Sequence, residues 1–211
     1  MPAKKKSAKK APQKKAADKM GPIRLPAIPE DQLTPEQRSL MSAIASGPRG
    51  TFKMSGPFFC YLHAPGFGEL AQKLGAYCRF GTSIAPRLTE FAILTTAQFW
   101  KAHYEWAAHE PQALKAGVKP ATIQALRAGR EPSSAPKDER ALYVFIKEVY
   151  ATRRASDRAY KAAHAVVGDR GMVELVGLLG YYAMVAMTLN VFRMPVAEGT
   201  PLPFKEPATS K

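Results

Sequence analysis

Glu90 to Gly117 reads EFAILTTAQFWKAHYEWAAHEPQALKAG. Its apolar residues recur at three- and four-residue spacing with no two-residue alternation, which predicts helices near 86–101 and 103–116, the second bent at Pro111. Glu105 and His109 are four apart and so share a helix face, where a carboxylate can orient an imidazole. Glu90 stands nineteen residues before His109, far enough for the first helix to fold back and deliver a second carboxylate to the same place.

Outward from this stretch the pattern stays helical. Further helices are expected near 65–80, 120–128, 137–153, 156–167 and 171–192, with Pro86, Pro111, Pro120 and Pro136 at starts or breaks and Gly117, Gly129 and Gly168 at stops. An earlier helix begins at Thr34-Pro35-Glu36-Gln37, with Thr34 as N-cap, Pro35 at the first helical position and Gln37 completing a capping box, and it ends at Gly47-Pro48. Between them RGTFKMSGPFFCYLHAP, residues 49–65, reads as an aromatic loop able to reach over a pocket, with His63 as a candidate contact. The fold class is all-α, a helical bundle.

The 211 residues suit one sizeable core. The net charge of +14 is uneven, because residues 1–20, MPAKKKSAKKAPQKKAADKM, hold half of the excess. A Lys/Ala/Pro segment cannot offset the entropy of ordering, so 1–20 is expected to be a disordered tail. Its charge allows weak, non-specific nucleic-acid binding, and no aromatic side chain is interleaved to stack on bases. Residues 21–33 read as a Pro-rich extended lead-in, 34–200 as the single helical domain and 201–211 as a C-terminal tail. The tail resembles neither a secretory signal nor a transit peptide, so a cytoplasmic location is expected. Leu175 to Val191, LVGLLGYYAMVAMTLNV, is nearly long enough to cross a bilayer, but its polar interruptions favour a core or oligomer-interface helix over a membrane span. Cys60 and Cys78 are too far apart for a Cys-x-x-Cys site and read as small buried hydrophobes.

The Glu90–His109 register and the string Tyr104-Glu105-Trp106-x-x-His109 resemble the carboxymuconolactone decarboxylase family and its alkyl hydroperoxidase D-like relatives, over about Ser55 to Pro195. Peroxidase members of that superfamily carry Glu, then Cys-x-x-Cys, then His. Aligned on Glu90 and His109, the two cysteine positions hold Ala102 and Glu105. The resemblance therefore implies the branch without the redox pair, a cofactor-free lyase acting on a small cyclic or carbonyl acid, built as a homo-oligomer.

Within that reading His109 is the expected proton-transfer group, since an imidazole ordinarily titrates near neutrality, at about 6.5. Glu105 would fix its tautomer, and Glu90 would act as a second acid or extend the relay. Arg87 and Arg193 are candidate carboxylate-binding residues, and Tyr182 and Asn190 candidate hydrogen-bond donors to substrate. His103 lies six residues from His109, on another helix face, so no metal site of the i, i+4 histidine kind is expected. Trp100, Tyr104 and Trp106 follow the interior pattern of the helix. Two other functions remain open: hydroperoxide reduction, which lacks its motif thiols, and a non-catalytic helical oligomer with a nucleic-acid-binding basic tail.

Overall fold

The computed structural model describes residues 21–205, and the Lys-rich segment 1–20 lies outside the described residues. Among them there are eight α-helices and no strand: α1 Pro35–Ser46, α2 Gly56–Leu62, α3 Pro65–Ala76, α4 Pro86–Trp100, α5 His103–Lys115, α6 Pro120–Arg127, α7 Lys137–Thr152 and α8 Asp157–Val191. The capping box forms at α1, where Gln37 N–H donates to the Thr34 hydroxyl and Thr34 N–H donates to the Gln37 side chain. Four further helices, α2, α3, α4 and α6, begin with proline in their first turn, where its missing N–H costs nothing.

Gly168 breaks α8 with φ 69° and ψ −178°, a conformation open to glycine and strained for other residues. The break separates a short amphipathic piece from the apolar run that enters the core. That run packs beside α4 and α7, and Leu175, Leu178, Leu179, Val185, Ala186 and Leu189 are all buried. The helix is long and apolar enough to cross a membrane, but 56% of its apolar window is buried within the fold, as in a core helix. Trp106, Phe91, Ile93, Leu94, Leu142 and Ile146 complete the main cluster. Burying each such side chain is worth about 2 kcal/mol.

The aromatic loop expected at 49–65 is in part a helix. In α2, Phe59, Cys60, Tyr61 and Leu62 are buried, and Tyr61 and Leu62 form a second small cluster with Leu40 and Ile44 of α1. The segment is only seven residues long, so its helicity depends on packing against α1 and α3 rather than on local propensity. His63 caps its C-terminus and sets its ring edge-on to Phe59, 5.3 Å between centroids. At the other end of the chain Phe204 packs edge-on against Trp106 at 5.2 Å, so part of the expected C-terminal tail lies on the domain.

One expected ligand residue is occupied by the fold. Arg87, in the first turn of α4, bonds the carboxylates of Asp138, at 2.6 Å, and Glu139, at the start of α7. It ties α4 to α7 and leaves the acid pair compensated. Because Glu139 is 1% exposed, Arg87→Gln is expected to cost about 3 kcal/mol in urea unfolding by stranding a buried carboxylate. A cost under about 1 kcal/mol would show that water reaches Glu139 and that the pair is not structural.

Candidate functional site

The site rests on the hairpin of α4 and α5. Lys101 adopts a left-handed conformation, φ 52°, and Ala102 N–H returns to Ala97 O at 2.9 Å, so two residues reverse the chain and lay α5 antiparallel along α4. Ala102, fully buried, occupies the inside of that turn. The hairpin brings Glu90 against His109: Glu90 Oε2 and His109 Nδ1 are 2.7 Å apart, with the residues 6% and 9% exposed. The imidazole also stands edge-on to Tyr182 of α8, 5.2 Å between centroids and 90° between planes. Burial pushes the Tyr182 phenol, and that of neighbouring Tyr181, upward, so both stay protonated near neutrality.

The expected partner of the imidazole is corrected. Glu105 does share a buried helix face with His109, but Glu90 orients the ring, because its Nδ1 edge faces across to α4 and not along α5. Neither oxygen of Glu105 has a hydrogen-bond partner among the described residues. Complete burial pushes its carboxyl well above the usual range and favours its protonated form, within electrostatic reach of Tyr150, Tyr181 and Tyr182.

Sequence reasoning missed Arg79. It lies in a π-helical turn, Tyr77–Gly81, that continues α3, and its Nε is 3.5 Å from Glu90 Oε1. Glu90 thus has the imidazole on one oxygen and a guanidinium on the other. The chain signal for Arg79 is slight: a basic residue in a Cys-Arg-Phe-Gly run where the helical pattern fades before Pro86. Glu174 of α8 holds the turn in place. Its carboxylate accepts bonds from Tyr77 Oη at 2.7 Å, Ser83 N at 2.7 Å, Ser83 Oγ at 2.6 Å and Arg170 Nε at 2.8 Å. Burial by itself would raise the Glu174 carboxyl, but the bonds from Ser83, Tyr77 and Arg170 outweigh it and bring it down to about 2.

Tyr181 is buried on the opposite side of Tyr182, its hydroxyl laid against Gly75 of α3, where a Cβ would sit 2.1 Å from the oxygen. Any larger residue at 75 would have to displace the Tyr181 ring, which packs edge-on against Tyr182 at 5.2 Å. The other expected ligand residues lie elsewhere. Arg87 is engaged at α7, the Arg193 guanidinium lies against Gly21, and Asn190 Nδ2 donates to Trp100 O at 2.8 Å, capping the end of α4. Cys60 and Cys78 are buried, and burial pushes both thiols to about 11. Among the described residues no group of three His, Cys, Asp or Glu side chains is set to hold a metal ion. A separate cleft of about 420 Å³ lies between α1 and α3, lined by Pro35, Glu36, Leu40, Pro65 and Glu69, away from the dyad.

Two carboxyls with opposite displacements make opposite contributions to stability. Glu174, displaced downward from 4.5 to about 2, stabilises the fold fully above about pH 4.5, and that contribution is lost as pH falls toward 2. Glu105, displaced upward, favours the fold below about pH 4.5, and its contribution is lost as pH rises toward its raised value. Melting curves from pH 2 to 9 are expected to show Glu174→Gln flattening the acid limb and Glu105→Gln flattening the alkaline limb. An unchanged alkaline limb in Glu105→Gln would mean that the carboxyl is solvated.

Residues 65–147 match the model of the carboxymuconolactone decarboxylase family. That span runs from α3 into α7 and includes Arg79, Glu90, Glu105 and His109, while Tyr182 lies beyond it. Two solved structures share the fold. One, an uncharacterized peroxidase-related protein from Silicibacter sp. TM1040, has TM-score 0.66 and 14% identity, covering 83% of this chain and 92% of that one. The other, a protein of unknown function from Agrobacterium tumefaciens grouped with the antioxidant defence protein AhpD, has TM-score 0.58 and 16% identity, covering 65% of this chain and 94% of that one. No curated protein matches the sequence. The family match spans the α4–α5 hairpin and the all-helical fold is shared with these solved structures, so the chain is similar to the carboxymuconolactone decarboxylase family across its candidate site.

Proposed function

We propose that the protein is a lyase of the carboxymuconolactone decarboxylase kind, acting on a small cyclic or carbonyl acid with His109 as its proton-transfer group. The observation that carries this reading is the buried Glu90–His109 pair, 2.7 Å apart. With Nδ1 engaged by Glu90, the chemically available nitrogen is Nε2, and 11% of the imidazole side chain remains accessible. In such a reaction the bond from carbon to the departing carboxylate breaks. The electron pair passes into an enolate conjugated with the substrate carbonyl, and a proton from Nε2 of the imidazolium closes the new C–H bond. Glu90 stabilises the imidazolium during the step. The electrons stay in the carbon framework throughout, so the step calls on no redox partner.

Hydroperoxide reduction, the alternative within the superfamily, is disfavoured by the chemistry of the thiols. That reaction needs a thiolate, whereas Ala102 and Glu105 stand at the two motif positions and both actual thiols are protonated near neutrality. Thiol-dependent peroxidase activity that disappears in Cys60→Ser or Cys78→Ser would reverse this preference.

Self-association belongs to the same reading. Phe67, Leu70, Leu74 and Tyr77 form an exposed apolar stripe at helical spacing on α3 and the π-turn, and Val173 and Val176 of α8 stand beside it, next to the Glu174 that Tyr77 bonds. A continuous two-helix apolar face of this kind suits a second copy of the chain, and the half-buried α8 then serves as core and interface in a soluble, cytoplasmic protein rather than as a span. The basic segment 1–20 would add only weak, salt-sensitive nucleic-acid binding, or, if the domain itself proves inert, the main function of a non-catalytic oligomer.

Screening lactone and keto acids for carbon dioxide release tests the chemistry. His109→Gln is expected to lower kcat about 10²- to 10⁴-fold, and His109→Asn, whose amide nitrogen can keep the bond to Glu90, to lower it as much with a smaller loss of melting temperature. Full turnover in either variant would remove His109 from the mechanism. Light scattering tests the assembly: Leu70→Glu with Val173→Glu is expected to give a monomer, and a wild-type monomer would dismiss the interface.

A further inference from the structure

We infer that Arg79 is the residue that receives the substrate carboxylate, presented beside His109 by the π-turn. The inference rests on the proton-transfer reading above for its catalytic meaning, but not for its geometry. Of the two arginines that the chain pattern favoured, Arg87 is spent on Asp138 and Glu139, and Arg193 lies beside Gly21, with no contact to the dyad among the described residues. Arg79 reaches the dyad instead, and it does so incompletely. Its contact with Glu90 is a single 3.5 Å approach through Nε, while neither terminal nitrogen has a hydrogen bond among the described residues.

An arginine whose role was only to neutralise a buried carboxylate would be expected to close on it with two parallel N–H bonds, as a guanidinium fork does when free to. Here the side chain stays 26% exposed with its guanidinium carbon 5.0 Å from the Phe80 ring centroid. The cation–π contact with Phe80 holds the guanidinium near the ring, and no hydrogen bond among the described residues occupies its terminal nitrogens. A planar carboxylate matches that pair of nitrogens with two bonds, and the aromatic ring offers an apolar wall to the carbon skeleton attached to it. Because Arg79 and the imidazole engage the two oxygens of one carboxylate, a ligand seated on the guanidinium is held at a defined distance from the proton-transfer nitrogen.

The backbone supports the same role. The π-turn ends α3 with a wider turn than an α-helix makes, which alters the direction of the side chains on it, and π-turns recur at functional sites. Without the wider turn, Arg79 would follow the α3 register. The turn is anchored on both sides of Arg79, at Tyr77 and at Ser83, by the one carboxylate of Glu174, and Arg170 compensates that carboxylate's charge. The guanidinium is therefore preorganised, which lowers the entropy cost of binding an anion.

Benzoate is a suitable probe, with the neutral, isosteric benzamide as control, followed by chemical-shift titration of the arginine Nε–H signals. Benzoate is expected to shift the Arg79 signal saturably and benzamide to leave it in place. Arg79→Gln should weaken benzoate binding about tenfold or more, and Arg79→Lys, which keeps the charge and loses the fork, less than that. Arg193→Gln should leave binding unchanged. Equal binding by wild type and Arg79→Gln, equal response to benzamide, or no benzoate binding at all would each overturn the assignment. Benzoate binding that needs Arg79 in a protein releasing no carbon dioxide would uphold the seat and sink the lyase reading. Carbon dioxide release with unaltered KM and kcat in Arg79→Gln would do the reverse.

Discussion

An imidazole and a carboxylate are held 2.7 Å apart in a place nearly closed to water, and the rest of the architecture is arranged around meeting that constraint. Neither group is tolerated in a helical interior without a partner, since burying an unpaired charge costs several kcal/mol. The partners sit on different helices, so the pair works only if α4 and α5 keep a defined register. The two-residue reversal at Lys101 and Ala102 sets that register, and the apolar segment of α8 packs behind it and contributes Tyr182 to the imidazole's open flank.

Four buried glutamates show how differently one residue type is treated within a single core. Glu90 is shared between a guanidinium and an imidazole. Glu139 is matched by Arg87. Glu174 accepts four bonds and is a firmly ionised anchor. Glu105 receives none and favours its protonated form. The distribution follows the supply of donors: the first three face an arginine, and Glu105 faces tyrosines and apolar side chains. Burial without a donor and pairing with one thus leave two carboxyls of the same hairpin with different protonation preferences.

The same environment keeps both thiols in their uncharged form near neutrality. Cys60 and Cys78 lie in the main hydrophobic cluster, where the uncharged form is favoured. A thiolate needs a nearby cation or helix N-terminus, and the cation nearest the site, Arg79, is directed at Glu90.

Caps, prolines and the 3.6-residue period lie within a few residues of one another along the chain, and they were enough to specify an all-helical domain, the α1 capping box, the break at Gly168 and the placing of Glu90 and His109 on adjoining helices. The similarity to the carboxymuconolactone decarboxylase family was legible too, because the spacing of Glu90, Glu105 and His109 is a property of one hairpin. The helix α2 was not, since seven residues carry too little local signal and their order depends on burial against α1 and α3. Which cation meets which acid was equally hidden. Arg87 finds Glu139 across 52 residues and Glu174 finds Ser83 across 91, and no pattern along the chain encodes such pairings. Composition and period decided what each helix was; only packing decided that Glu90 rather than Glu105 holds the imidazole and that Arg79 rather than Arg87 stands beside it, because electrostatic partnership depends on distance in space.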